Sequence, residues 1–418
     1  MFELIIAGFA ILLLSVFIKN SRLGHGSLPP GPTPLPIIGH FHLLGPLIHH
    51  SFRDLSSSYG SLIYLRLGSV PCVVASTPEL AKELLKTNDL TFSSRMHSLA
   101  IDHLTYNSSL AFSPYGPYWR FIKKMSTFEF LGNRALNQFL PIRRKELREF
   151  LGVLHDKSKV CDSVNVTEEL LKLSSNIISQ IILSLRCSGT DNEAEGTWTF
   201  RGIEGNLRMS IEGMMHWWRK LSRNREIERK NKSSGGEYKA RDLLDMMLDA
   251  MEDKSSEVEL TRENIKALVL DFITAATDTT ATATEWALAE LINNPKVLAK
   301  AQQEIDTVVG NKRLVEESDS PNLPYIQAII KETFRLHPPV PMISRKSIQE
   351  SKIKGYTIPQ DTLLFVNWNV VDSSDAVKIK GNAARPVDMT ERPGLTAPRF
   401  HELVCAPVPR PALDSLQL

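Results

Sequence analysis

Asp271-Phe272-Ile273-Thr274-Ala275-Ala276-Thr277-Asp278-Thr279-Thr280 sets small and hydroxyl residues in the middle of a leucine- and alanine-rich run. The periodicity of that run predicts one long helix from about Arg262 to Asn293. Small side chains such as Ala275 and Ala276 let a ligand lie against a helix backbone. A mid-helix threonine can draw a carbonyl out of its ladder and open a groove. Asp278 followed by Thr279 is an acid beside an alcohol, a pair able to relay protons. Taken alone, the stretch also suits a helix that is simply well packed.

Outward from it, helical periodicity marks Glu79–Thr87, Glu168–Leu185, Ala240–Met251, Pro295–Val309 and Tyr325–Leu336. Strand-like alternation clusters at 61–75 and 353–371. The expected fold is mainly α with a small β-sheet. Glu332 and Arg335 stand three apart on one helix face, where they can pair, ahead of Leu336-His337-Pro338-Pro339-Val340-Pro341. Trp119 and Lys123, four apart, put an aromatic N–H donor beside a cation and suit a bound carboxylate or phosphate. A half-buried tryptophan with a surface lysine reads the same way. Met342, Ile343 and Arg345 follow in PMISRKS.

The 418 residues carry 49 Lys and Arg against 47 Asp and Glu, so no basic excess points to nucleic acid. Four widely spaced cysteines, Cys72, Cys161, Cys187 and Cys405, exclude a CxxC zinc or redox motif and suit a reducing compartment. No metal site is read from the chain. Leu4–Ile18 is apolar and uncharged, with Lys19 and Arg22 behind it and Glu3 before it. It reads as an uncleaved membrane anchor (1–18) holding the body on the cytoplasmic side, with a signal peptide as the alternative. Five prolines in Leu28–Pro36 make 19–36 a stiff spacer. Sequons at Asn107, Asn165 and Asn231 are then expected to stay unused. Seven positive and two negative charges in 219–232, just after Trp217 and Trp218, read as a solvated helix face or a membrane-surface contact.

In this order and spacing, the apolar run, proline strap, WxxxK, AATDTT, ExxR and Arg345 resemble the microsomal cytochromes P450, the heme-thiolate monooxygenases. LPPGPTPLPIIGH, Phe92-Ser93-Ser94-Arg95, DFITAATDTT and ERPGLTAPR are similar to a plant flavonoid-pathway subfamily, close to membrane-bound flavone synthase. The resemblance implies a heme cofactor and electrons from NADPH through a cytochrome P450 reductase. It also implies a flavanone-type substrate and residence in the endoplasmic reticulum membrane. By resemblance, Asp278 and Thr279 match the proton-delivering pair. Trp119, Lys123 and Arg345 match groups on the heme propionates. Glu332 and Arg335 match a buried structural pair behind the heme. Ala275, Ala276, Met342, Ile343, Leu395 and Thr396 match substrate-facing positions. Where the family usually has glycine, this chain has Ala276.

The resemblance runs through a core of 37–371 and then breaks. Residues 372–387, DSSDAVKIKGNAARPV, are polar and unlike the family, whose text resumes over 388–418 at Met389-Thr390-Glu391-Arg392. The family's iron ligand is a cysteine in a glycine-rich loop of the missing stretch. Cys405, in HELVCAPVP, reads as a strand residue with no glycine turn. A second departure, around Glu195–Met215, shortens the region that would roof a pocket. The chain is therefore expected to hold heme abnormally, with a catalytically inactive truncated or spliced relative as the alternative to an oxygenase. Exposing half a dozen apolar side chains, at roughly 1.5–3 kcal/mol each, would also leave the fold marginal.

Overall fold

The computed structural model describes residues 28–96, 99–187, 225, 242–255, 257–368 and 386–408. The apolar run at 4–18, residues 372–385 of the 372–387 junction, the departure at 195–215 and all of 219–232 but Arg225 lie outside them. Among the described residues no helix is long and apolar enough to cross a membrane.

In chain order the main elements begin with α1 (Ile48–Tyr59), β1 (Leu62–Leu67), β2 (Val70–Ala75), α2 (Pro117–Met125) and α3 (Leu140–Lys159). Next come β3 (Val164–Asn165), α4 (Val166–Leu183), α5 (Leu243–Glu252), α6 (Arg262–Asn293), α7 (Pro295–Val308) and α8 (Pro324–Leu336). The chain then forms β4 (Met342–Lys346), β5 (Ser351–Ile353), β6 (Tyr356–Ile358), β7 (Leu363–Asn367) and β8 (Val404–Cys405). The expected mainly helical fold with a small sheet is observed. These elements divide between two compact units.

The described residues of the first unit are 28–96, 330–368 and 390–398. Its sheet runs in the order β1-β2-β7-β4, with β2 and β7 parallel and the other two pairings antiparallel. Successive strand residues face opposite sides, and here both sides are buried. Leu62, Val73, Ala75, Leu364 and Val366 pack with Leu80, Leu84 and Phe92 on one side. Ile63, Leu65, Cys72, Val74 and Leu363 pack with Phe52 of α1 on the other. The proline strap is more than a spacer, because it lies along β1. Tyr64 N–H donates to the Pro30 carbonyl at 2.9 Å, and His40 N–H to that of Arg66 at 2.7 Å. Gly31 is required there, since a Cβ would sit 2.1 Å from the Tyr64 carbonyl oxygen. Buried His40 accepts from Arg66 N–H on Nδ1, leaving Nε2–H to donate to the Pro32 carbonyl.

The second unit takes 97–329, 382–389 and 399–418, and α6 is its axis. Thr261 and Asn264 close a reciprocal capping box at its start. Pro295 opens α7 after its end. At 32 residues α6 runs about 48 Å. It packs along α4 and also touches α5 and α7. Ile265, Leu268, Val269 and Ile273 join Ile122, Leu183, Leu244 and Met247 in the main cluster. Asn165, one of the sequons, caps α4 through Glu168 N–H and donates to Glu402. Arg225, the described residue of the charge run, is not itself on a solvated face. It is buried, pairs with Asp242 at 2.9 Å and donates to the Leu183 carbonyl.

Candidate functional site

The hydroxyl cluster lies midway along α6 as expected. Thr277 is fully buried and donates back to the Ile273 carbonyl at 2.9 Å. Thr279 donates to the Ala275 carbonyl at 2.6 Å and Thr284 to that of Thr280 at 2.9 Å. The hydroxyls therefore bend back on the helix, as mid-helix threonines do. The proton of Thr279 is engaged there, while its oxygen keeps acceptor capacity. Ala275 is exposed, and Ala276, Asp278 and Thr279 are half-buried. Two turns earlier, Asp271 accepts from the Ser109 hydroxyl at 2.7 Å and from Leu110 N–H at 2.6 Å. Burial pushes its carboxyl up to about 6. Asp271 thus ties the segment ahead of α2 to α6.

On α2, the Trp119 indole N–H donates to the Leu110 carbonyl at 2.9 Å. In this structure that donor is engaged by the backbone. Lys123, one turn on, is exposed and forms no ion pair among the described residues. The WxxxK spacing puts the two on one face, but only the lysine keeps a hydrogen-bonding head for a ligand.

In the first unit, Glu332 and Arg335 pair as expected, Nε to Oε2 at 2.8 Å with a second, parallel contact. The pair is not buried, however. The Glu332 side chain is 54% exposed, and the Arg335 hydrogen bond holds its carboxyl low. A solvated pair of this kind contributes about 0–1 kcal/mol. Glu332→Ala is accordingly expected to lower the unfolding free energy read from a urea melt by no more than that amount. A loss above about 2 kcal/mol in a denaturation curve would restore the buried role.

Met342 and Ile343 do not share a face. Ile343 pairs with Val366 and packs on the Leu62–Val73 side, whereas Met342 packs with Phe52 on the other. Consecutive strand residues cannot both line one pocket. Leu395 is 79% exposed in the turn after Pro393, and Thr396 is half-buried. Arg345 is half-buried on β4, opposite Leu364 of β7, and burial lowers its pKa. The Ser94–Lys346 bridge brings Arg95 beside it. Burial and the Arg345 charge push Arg95 down to about 10. Two partly desolvated guanidiniums close together suit an anion, and Arg95 also donates to the Ser93 carbonyl at 3.0 Å. Arg95 sits in the quoted FSSR stretch, but without the bridge nothing in the sequence links it to Arg345.

All four cysteines fall among the described residues. Cys72 is fully buried in β2 and its thiol is pushed up by burial. Burial also raises Cys187 and Cys405, and Cys405 is paired with Val164 in a two-stranded ladder. Cys161 is exposed after the end of α3. Among the described residues none of the four lies in the first turn of a helix. Arg399, the nearest charge to Cys405, is engaged by Glu285.

The family model for cytochrome P450 matches residues 29–218 and 205–377. Cytochrome P450 93B2 of Gerbera hybrida is 55% identical over 387 residues, which cover 86% of this chain and 75% of that protein. The 2-hydroxyisoflavanone synthase of Glycyrrhiza echinata is 37% identical over 505 residues of alignment, covering 97% of this chain and 96% of the relative. That alignment is longer than the 418 residues of the chain, so the relative carries residues with no counterpart here. A zebra fish cytochrome P450 solved with abiraterone shares the fold, with a TM-score of 0.66 at 23% identity over 82% of each chain.

Proposed function

We propose, from the premise that the chain belongs to the cytochrome P450 family, that it is a flavonoid-pathway member which no longer activates oxygen. The lineage reading rests on relatives such as 2-hydroxyisoflavanone synthase and on the flavone synthase-like motifs. The parental reaction is oxidation of a flavanone-type substrate, with electrons from NADPH through a membrane reductase. The apolar N-terminus would hold the chain on the endoplasmic reticulum with its body in the cytoplasm.

The observation that carries the loss of activity is the cysteine set. A heme-thiolate centre needs a deprotonated cysteine on iron. The three cysteines with a perturbed thiol are shifted toward the neutral form, and the fourth is an exposed residue after a helix. Arg95 and Arg345 suit the propionates, but the residues present do not fit the iron side of the group. No catalytic step is therefore assigned to Asp278 and Thr279 in this chain.

The test is the carbon monoxide difference spectrum of the purified full chain, reconstituted with hemin and reduced. No red-shifted, thiolate-type Soret band is expected, and no turnover of a flavanone with reductase and NADPH. Appearance of that band, or oxidation of the flavanone, would overturn the proposal.

A further inference from the structure

Outside the region just described, two imidazoles and a carboxylate converge within the first unit. His49 and His50 lie in the first turn of α1, and Glu391 belongs to the segment that follows the junction. The His49 Nε2 is 2.7 Å from Glu391 Oε2, and the His50 Nε2 is 3.3 Å from the same oxygen. The three ligand atoms all lie within 4.8 Å of one another. Zinc bound tetrahedrally at roughly 2.0–2.2 Å holds its donors about 3.4 Å apart, so small side-chain adjustments suffice.

We propose that His49, His50 and Glu391 bind one Zn²⁺, which clamps the segment after the junction to the first helix of the body. Two imidazole nitrogens and one carboxylate favour zinc over magnesium or calcium, which prefer all-oxygen shells. The His49 and Glu391 side chains are 6% and 11% exposed, while that of His50 is 33% exposed. The site is thus walled on one side and open to an entering ion on the other. Three protein ligands leave a fourth position for water. Support behind the ligands comes from Asn367, whose amide donates to the His49 carbonyl at 2.8 Å and fixes the start of the helix. Sequence reading missed the site because its carboxylate, Glu391, lies 341 residues beyond His50 and the set fits no short ligand spacing.

The test uses the full-length, tag-free chain in detergent, stripped with a chelator and titrated with zinc chloride. One zinc per chain and a rise in melting temperature are expected. Glu391→Gln, which keeps the shape of the side chain, is expected to weaken binding at least 100-fold, roughly the loss a supporting residue alone can cause, and to remove the thermal shift. His50→Gln, at the exposed edge, makes the same prediction should Glu391→Gln fail to fold. Cobalt is expected to give tetrahedral visible bands in the parent chain and none in the variants. Absence of zinc uptake by the parent, or equal uptake and equal thermal shift in the variants, would overturn the assignment.

Discussion

Arg399→Ala is expected to destabilise the chain by about 3–5 kcal/mol, the largest effect of any single substitution considered, because it strands a buried carboxylate. The Arg399 and Glu285 side chains are 2% and 5% exposed and stand 3.2 Å apart. Arg399 also donates to the Asp388 carbonyl at 2.7 Å and lies over the Trp286 ring. Glu285 accepts from the Thr167 hydroxyl at 2.8 Å, and that same hydroxyl oxygen accepts from Leu403 N–H. One guanidinium therefore links α6 to the segments on both sides of residues 390–398. Set against a net stability of about 5–15 kcal/mol, the loss leaves little margin.

The pH dependence gives this prediction its signature. Burial already raises the Glu285 carboxyl, with Thr167 and Arg399 opposing it. Without Arg399 it rises further, so the folded chain holds a proton that the unfolded chain releases. Stability is then greatest below the unfolded pKa and falls as pH rises through the folded one. Urea melts of Arg399→Ala are expected to show a smaller deficit at pH 5 than at pH 8. In the double variant Glu285→Leu/Arg399→Met, most of the loss should return, because an apolar pair carries no desolvation cost. A deficit independent of pH and unrelieved in the double variant would refute the account.

The fold was legible where helix formers run without a breaker between cap signals. The bounds of α6 are visible in its small-residue helix pattern and in the Pro295 that follows it. By contrast, α3 carries charge almost all round, in LPIRRKELREFLGVLHDKSK, and its amphipathic signal is weak. β4, at MISRK, alternates too little to show as a strand, because every one of its residues is partly buried. Within the site, residue types pointed to a Glu332–Arg335 pair, which forms. They could not show that Trp119 spends its proton on Leu110, that Glu332 is solvated, or that Arg95 comes to Arg345 through a strand bridge. The last depends on residues distant in the chain, the first on a loop nine residues back, and the second on what packs over the helix.

Arg345→Met is expected to lower the affinity for an iron-free dicarboxylate porphyrin by about ten- to a hundredfold, the equivalent of one charge-assisted hydrogen bond of roughly 1.5–3 kcal/mol. Protoporphyrin IX is the suitable probe, because without iron it reports the carboxylate side of the group alone. Arg345 and Arg95 are both depressed by burial, and the Arg345 charge lowers Arg95 further. Removing one of them therefore relieves repulsion in the ligand-free chain. Methionine keeps the apolar stem that packs in the half-buried site. The variant should melt at the same temperature or higher while binding the porphyrin more weakly, an opposition that a merely structural arginine would not produce. The porphyrin dimethyl ester completes the argument. It should bind the parent chain about as weakly as the free acid binds Arg345→Met, and the substitution should not weaken it further. Fluorescence quenching titrations read all four affinities. Equal binding of acid and ester by the parent chain would show that the two guanidiniums do not form a carboxylate site.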